Sequence, residues 1–186
     1  MSDSDLVDVG GGRAHRLVRI GKGVTVGKWA RIGRWVKIGE WVRIGEGARI
    51  SEGATIGEGA SIGEWASIGE GARIGRTASI GRKSVIGDDV VIGRGVAIGD
   101  NVQVLATPLR IQGTRHRVAV TSPSTVQIGV VALPLDECLP GCEAVSRYYK
   151  YSGDEIAEYR EHIRFAVQWL QQNSERVFGP TSGDNT

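Results

Sequence analysis

From Ile20 to Val104 an aliphatic residue returns every six positions without a single insertion: Ile20, Val26, Ile32, Ile38, Ile44, Ile50, Ile56, Ile62, Ile68, Ile74, Ile80, Ile86, Ile92, Ile98 and Val104. All but Ile50 and Val104 are followed by glycine, and two positions before each stands Val, Ala or Ser. In an extended segment, residues two apart point to the same side and the residue between them points away. The intervening positions agree, since Arg19, Thr25, Arg31, Lys37, Arg43, Arg49, Thr55, Ser61, Ser67 and Arg73 are all polar. The rest of each unit, a glycine, a charged residue, and then Gly or Trp in the early units, has the chemistry of a turn. Each unit therefore reads as a short strand followed by a corner, and Gly, at 28 of 186 residues, is explained by the corners.

The Ile-Gly spine with its small residue two positions earlier resembles the hexapeptide-repeat family. Members of that family wind into a left-handed parallel β-helix with three six-residue sides per coil. The resemblance covers residues 18–104 and implies an all-β solenoid of about five coils, roughly 24 Å tall at the usual strand spacing. Handedness and coil shape come from the resemblance and not from the period. Burial of each spine isoleucine is worth about 2 kcal/mol, which lets a core with 6% aromatics hold.

Three sides per coil make residues 18 apart neighbours on successive coils. The corner columns then read Trp29, Gly47, Trp65, Lys83, Asn101; Trp35, Gly53, Gly71, Asp89; and Trp41, Gly59, Thr77, Gly95. Every one of these tryptophans has a glycine one coil away, so an indole there is expected either to cover backbone or to offer a flat face to a ligand. Corner charges run from Lys22, Lys28 and Arg34 through Glu40, Glu46, Glu52, Glu58, Glu64 and Glu70 to Arg76 and Arg82. Cations that do not pair with these glutamates would suit phosphate oxygens.

Outside the repeat, residues 1–17 are a polar lead expected to fray or fold over the first coil. Residues 105–178 are expected to form a hairpin and helix module capping the last coil. The hairpin pairs Arg117–Val120 with Val126–Val131; a short helix lies near Leu135–Tyr149, interrupted by Pro140-Gly141; and Ser152 with Glu155 makes a capping box for a helix over 153–172. Residues 179–186 read as a disordered tail. Residues 128–170 also resemble, more loosely, the C-terminal module of small phage and prophage proteins that follow a hexapeptide rod, a resemblance that implies phage origin but no chemistry.

The balance of 23 Lys and Arg against 21 Asp and Glu lacks the basic excess of a general nucleic-acid binder, and no apolar run approaches membrane-spanning length. No membrane or nucleic-acid partner is expected, and a cytoplasmic location is. Cys138 and Cys142 lack the further ligands of a metal site and read as structural thiols. Most enzymes of the family are acyltransferases with a histidine base, and its zinc-dependent branch needs three converging histidines. Here His15, His116 and His162 are the only histidines and none lies in the fifteen units. His116, flanked by Arg115 and Arg117, is the one candidate base, and its turn position would leave it facing solvent or bonded to backbone.

The first expectation is therefore a non-catalytic oligomer, a homotrimer by the resemblance, that uses no cofactor. It would hold a small anionic, nucleotide-type ligand in grooves between rods, through Arg19, Arg31, Lys37, Arg43, Arg49 and Arg73 with Trp29, Trp35, Trp41 and Trp65. The phage resemblance implies a version in which a host defence signal is sequestered. Val85, Val91 and Ala97, apolar at outward positions, are expected at subunit contacts. The alternative is an acyltransferase using acyl-CoA with His116 as base, and a second alternative is a structural or assembly protein.

Overall fold

The computed structural model describes residues 6–8 and 12–180. The chain divides into two compact units, Met1–Thr107 and Pro108–Thr186.

The first unit is the left-handed parallel β-solenoid of about five turns. After β1 (Leu6–Asp8) and β2 (Arg13–His15), fifteen two-residue strands follow at six-residue intervals, from β3 (Arg19–Ile20) to β17 (Gln103–Val104). Each strand pairs in parallel with the strand three further on, 18 residues along, as Ser61 with Ser79 and Ile62 with Ile80. Three sheets result. One carries Arg13, Arg31, Arg49, Ser67, Val85 and Gln103 on its outer face; the second Thr25, Arg43, Ser61, Ser79 and Ala97; the third Arg19, Lys37, Thr55, Arg73 and Val91. Backbone donors reach the next coil throughout; the Thr55 N–H, for example, donates to the Ala72 carbonyl at 2.8 Å. Inside, the isoleucines from Ile32 to Ile98 and the small residues beside them are buried, as the spacing requires. Ser84, the one hydroxyl in the inward set, donates to the Gly99 carbonyl at 2.7 Å and accepts from the Val102 N–H, so its burial leaves no polar atom unmatched.

The corners show why the period tolerates no insertion. All fourteen corner residues from Gly23 to Asn101 have positive φ, including Trp29, Trp35, Trp41, Trp65, Thr77, Lys83 and Asp89. A left-handed residue closes each turn, and the glycine two positions earlier lets the next coil approach. A Cβ on Gly57 would lie 2.5 Å from the Arg76 nitrogen, which is backbone and has nowhere to go. Side chains at the left-handed corners cost about 1–2 kcal/mol each relative to glycine. Thr77, β-branched at φ 56°, is the clearest case. Thr77→Gly is expected to raise stability by roughly 0.5–1 kcal/mol once the added freedom of the unfolded chain is subtracted, read as a higher denaturation midpoint.

The described residues add two details to the expectations for this unit. The rod begins at Arg13, because Arg13–His15 pairs in parallel with Arg31–Ile32 and Leu6–Asp8 adds antiparallel to it. Residues 1–5 and 9–11 of the expected polar lead lie outside the described residues. Val85, Val91 and Ala97 sit on three different sheets of one coil and form no single patch.

The second unit holds a four-stranded antiparallel sheet, β18 (Arg110–Gln112), β19 (Arg117–Ser122), β20 (Thr125–Ile128) and β21 (Val131–Pro134), in sequential order. The expected hairpin is its centre, with Val120 opposite Val126. The sequence reading missed both flanking strands. Helices α1 (Cys138–Tyr149) and α2 (Gly153–Phe178) follow. Pro140 does not interrupt α1, because it falls in the first turn, where a missing N–H breaks no bond. The Ser152–Glu155 capping box is present, and α2 runs six residues past its expected end to a Gly179 C-cap. Residues 181–186 of the expected tail lie outside the described residues. No helix among the described residues is long and apolar enough to cross a membrane.

Candidate functional site

The expected ligand-binding residues are distributed around the rod. Arg31 and Arg49 stack on one face, where Arg13 extends them into a three-rung ladder that the sequence reading missed. Arg19, Lys37 and Arg73 share a second face and Arg43 lies on the third. The tryptophans lie at the corners and are exposed. Trp29 and Trp65 share one edge, two coils apart, while Trp35 and Trp41 occupy the other two edges. Trp41 packs on Gly23 and Trp65 on Gly47, each covering the glycine of the preceding coil so closely that a Cβ there would overlap the ring. Trp35 borders an open hollow of about 350 Å³ that is otherwise lined by Gly53, Gly71 and the acids Glu52, Glu70, Asp88 and Asp89. That lining repels a phosphate. Later cations pair with the glutamate bands one coil back, Arg76 with Glu58 at 2.7 Å and Arg82 with Glu64 at 3.8 Å. His15 is buried and its Nδ1 accepts the Leu17 N–H. No group of three His, Cys, Asp or Glu able to hold a metal gathers among the described residues.

The second unit places its titratable groups differently. The turn Gly113–Arg117 is held by two consecutive residues of α2. The Glu158 carboxylate accepts the Thr114 N–H at 2.8 Å and its hydroxyl at 2.6 Å. The Tyr159 hydroxyl accepts the N–H groups of Arg115 and His116, at 3.0 and 2.6 Å, and donates to the His116 carbonyl at 3.0 Å. Tyr159 is fully buried, and these bonds satisfy its phenol and the turn together. The His116 ring is half-buried, stacked on Tyr149 with centroids 3.9 Å apart, and its Nδ1 lies 2.7 Å from the Tyr151 hydroxyl. Tyr151 in turn stacks on Tyr159 at 4.5 Å. In place of the solvent-facing or backbone-bonded ring expected of a turn residue, the half-buried imidazole packs on Tyr149 and meets the Tyr151 hydroxyl through Nδ1.

Burial, and then the charge of Arg115, hold the His116 pKa below the ordinary imidazole value, against a weaker opposing pull from Glu155. The ring is therefore neutral at pH 7. Burial keeps the Tyr151 phenol protonated far above neutral pH. In the tautomer whose Nδ1–H donates to the Tyr151 oxygen, Nε2 carries the lone pair that a general base needs; in the other the phenol donates to Nδ1. Sequence reasoning found His116 but missed Tyr149, Tyr151, Glu158 and Tyr159, which lie 33 to 44 residues from the turn they enclose. Tyr151 also walls a hollow of about 360 Å³ between α1 and α2, lined by Glu143, Ser146, Arg147, Lys150, Ile156 and Arg160. Glu143 bridges Arg147 and Arg160, at 3.8 and 3.4 Å, so two guanidinium groups are held around one carboxylate beside Lys150. Burial pushes the Cys138 thiol up to about 11, which makes it inert and fits a structural role; the Cys142 part of that expectation lies outside the described side chains.

Against known families, residues 18–52 and 42–76 match the bacterial transferase hexapeptide (six repeats). No curated protein matches. Among solved structures, GDP-perosamine N-acetyltransferase from Caulobacter crescentus aligns at 23% identity over 55% of this chain and 54% of its own, with a TM-score of 0.42. The acetyltransferase domain of PglB from Neisseria gonorrhoeae aligns at 18% over 50% and 54%, with 0.35. A hexapeptide transferase family protein from Anaplasma phagocytophilum aligns at 12% over 87% and 92%, with 0.36. The chain spans about half the length of the first of these.

The family match corrects the first functional expectation. The matched repeats are those of transferases, so the reading as a non-catalytic protein that sequesters a nucleotide-type ligand is set aside. Nothing found supports its phage or anti-defence version.

Proposed function

We propose that the chain is a hexapeptide-repeat acyltransferase that takes its acyl group from a CoA thioester. The match of residues 18–76 to the transferase hexapeptide carries this reading. The caged, neutral His116 supplies the base that the coils lack. In this reading the Nε2 lone pair of His116 takes the proton of an acceptor amine or hydroxyl as that group attacks the thioester carbonyl, and the thiol leaves. A positioned base of this kind contributes about 10²–10⁴-fold. Arg31 and Arg49, stacked in the first unit, have the forked donors that suit phosphate oxygens. Arg147, Lys150 and Arg160, in the second, favour an acceptor with an anionic group. The proposal includes assembly as a homotrimer, the common state of the family, and a cytoplasmic location, where CoA thioesters are made.

The test is release of free thiol from acetyl-CoA by the full chain, with a panel of amines and alcohols that includes carboxylated and phosphorylated members. Acceptor-dependent release supports the proposal. Release no faster than the uncatalysed rate with every acceptor, and with longer acyl-CoA thioesters, overturns it.

A further inference from the structure

The first coils of the rod combine three features that transfer chemistry does not require. Residues 1–49 carry ten Lys and Arg against three Asp and two Glu, and none of the acids falls between Asp8 and Glu40. Trp29, Trp35 and Trp41 are 67%, 56% and 65% exposed, and they occupy the three corners of a single coil. They therefore form a girdle around the rod within about one strand spacing, roughly 5 Å, along its axis. One level outward, Leu17 and Ile20 are 48% and 41% exposed.

We propose that this end of the rod docks on an anionic lipid surface, with the tryptophan girdle at the headgroup level and Lys22, Lys28 and Arg34 against lipid phosphates.

The arrangement selects the partner. A small ligand or a nucleic-acid strand engages one face or groove, and three indoles on three separate edges cannot reach it together. A plane across the rod end meets all three at once. Indoles favour the membrane–water boundary, where an apolar ring and a polar N–H both find partners. Lys22, Lys28 and Arg34 are the residues just before Gly23, Trp29 and Trp35, and among the described residues none of the three is ion-paired. Each basic residue near an anionic bilayer adds attraction that falls off with salt. Surface contact of this kind needs no spanning helix, so it is compatible with a sequence that lacks one. It departs from the expectation of no membrane partner, and it stands independently of acyl transfer.

The repeat supplies its own fold-neutral substitutions. Glutamate already follows the corner glycine in six successive units from Glu40 to Glu70, and glycine already fills the left-handed corner at Gly47, Gly53 and Gly59. The experiment is sedimentation of the full chain with vesicles of phosphatidylcholine alone and with vesicles that also contain phosphatidylglycerol, at low and high salt. The wild type is expected to bind only the anionic vesicles, and less at high salt. The triple variant Lys22→Glu, Lys28→Glu, Arg34→Glu is expected to lose roughly a hundredfold or more in partitioning. The triple variant Trp29→Gly, Trp35→Gly, Trp41→Gly is expected to lose about tenfold or more, together with the quenching of tryptophan emission by brominated lipid. Circular dichroism should show both variants folded. No binding to anionic vesicles overturns the proposal, as does undiminished binding by either folded variant. Sedimentation without vesicles would show self-association in place of lipid binding and would overturn it too. Equal affinity for a single-stranded oligonucleotide would show a general polyanion surface.

Discussion

Truncating Ile68 to alanine is expected to lower the stability of the rod by about 2–5 kcal/mol, read as a shift of the urea midpoint. Ile68 is 1% exposed and lies between Ile50 and Ile86 in one of the three internal columns. The interior consists of these isoleucines and the Ala, Val and Ser beside them, with no aromatic side chain to close over a void. The coils cannot collapse into it either, because their separation is fixed by backbone hydrogen bonds such as that from the Ser67 N–H to the Ser84 carbonyl, at 2.8 Å. Both the lost transfer energy and the cavity term therefore remain. The neighbouring substitution Ser67→Ala faces outward and is expected to stay within about 0.5 kcal/mol. Equal effects at the two positions would mean that the inward and outward sets have been exchanged.

His116→Gln is expected to reduce kcat by about 10²–10⁴-fold while leaving the second unit folded. The turn is held through the backbone of Arg115 and His116 and through Thr114, so the imidazole can be removed without releasing those bonds. The pH profile carries a second signature. Burial lowers the folded-state pKa, so the neutral form persists to lower pH than for a free imidazole. The acidic limb of kcat/KM should therefore fall with an apparent pKa below 6.5, with activity rising with pH through that value and level at neutrality. An acidic limb above 6.5, or retained activity in the glutamine variant, would remove His116 from the role of base.

The rod was legible because its information is periodic. Residues six apart fix the faces, residues 18 apart fix the neighbours, and glycine marks where backbones approach. Trp29, Trp35, Trp41 and Trp65 hid one part of it, since a bulky residue at positive φ looks locally improbable, and only their place in the glycine columns reveals the left-handed corner. Arg13–His15 was missed as a strand because it lacks the Ile-Gly signature. Arg110–Gln112 and Val131–Pro134 were missed because short strands supported by pairing have little pattern of their own. The candidate site was legible only as a lone histidine. Its cage comes from α1, α2 and the segment between them, and its effect on His116 is a matter of burial that no local motif records. The functional expectation failed for a related reason. Coils free of histidine do not by themselves exclude catalysis, since the proposed base, His116, lies in the second unit.

In a three-sided coil, residues 18 apart are neighbours on successive turns. With Cys138 and Cys142 replaced by serine, the pair Ser61→Cys and Ser79→Cys should oxidise readily to an intramolecular disulfide, because adjacent parallel strands place their Cα atoms about 4.8 Å apart, within disulfide reach. The pair Ser61→Cys and Ser67→Cys, six apart and on different sheets, should not. Cross-linking of the second pair in preference to the first would contradict the three-sided coil and everything built on it.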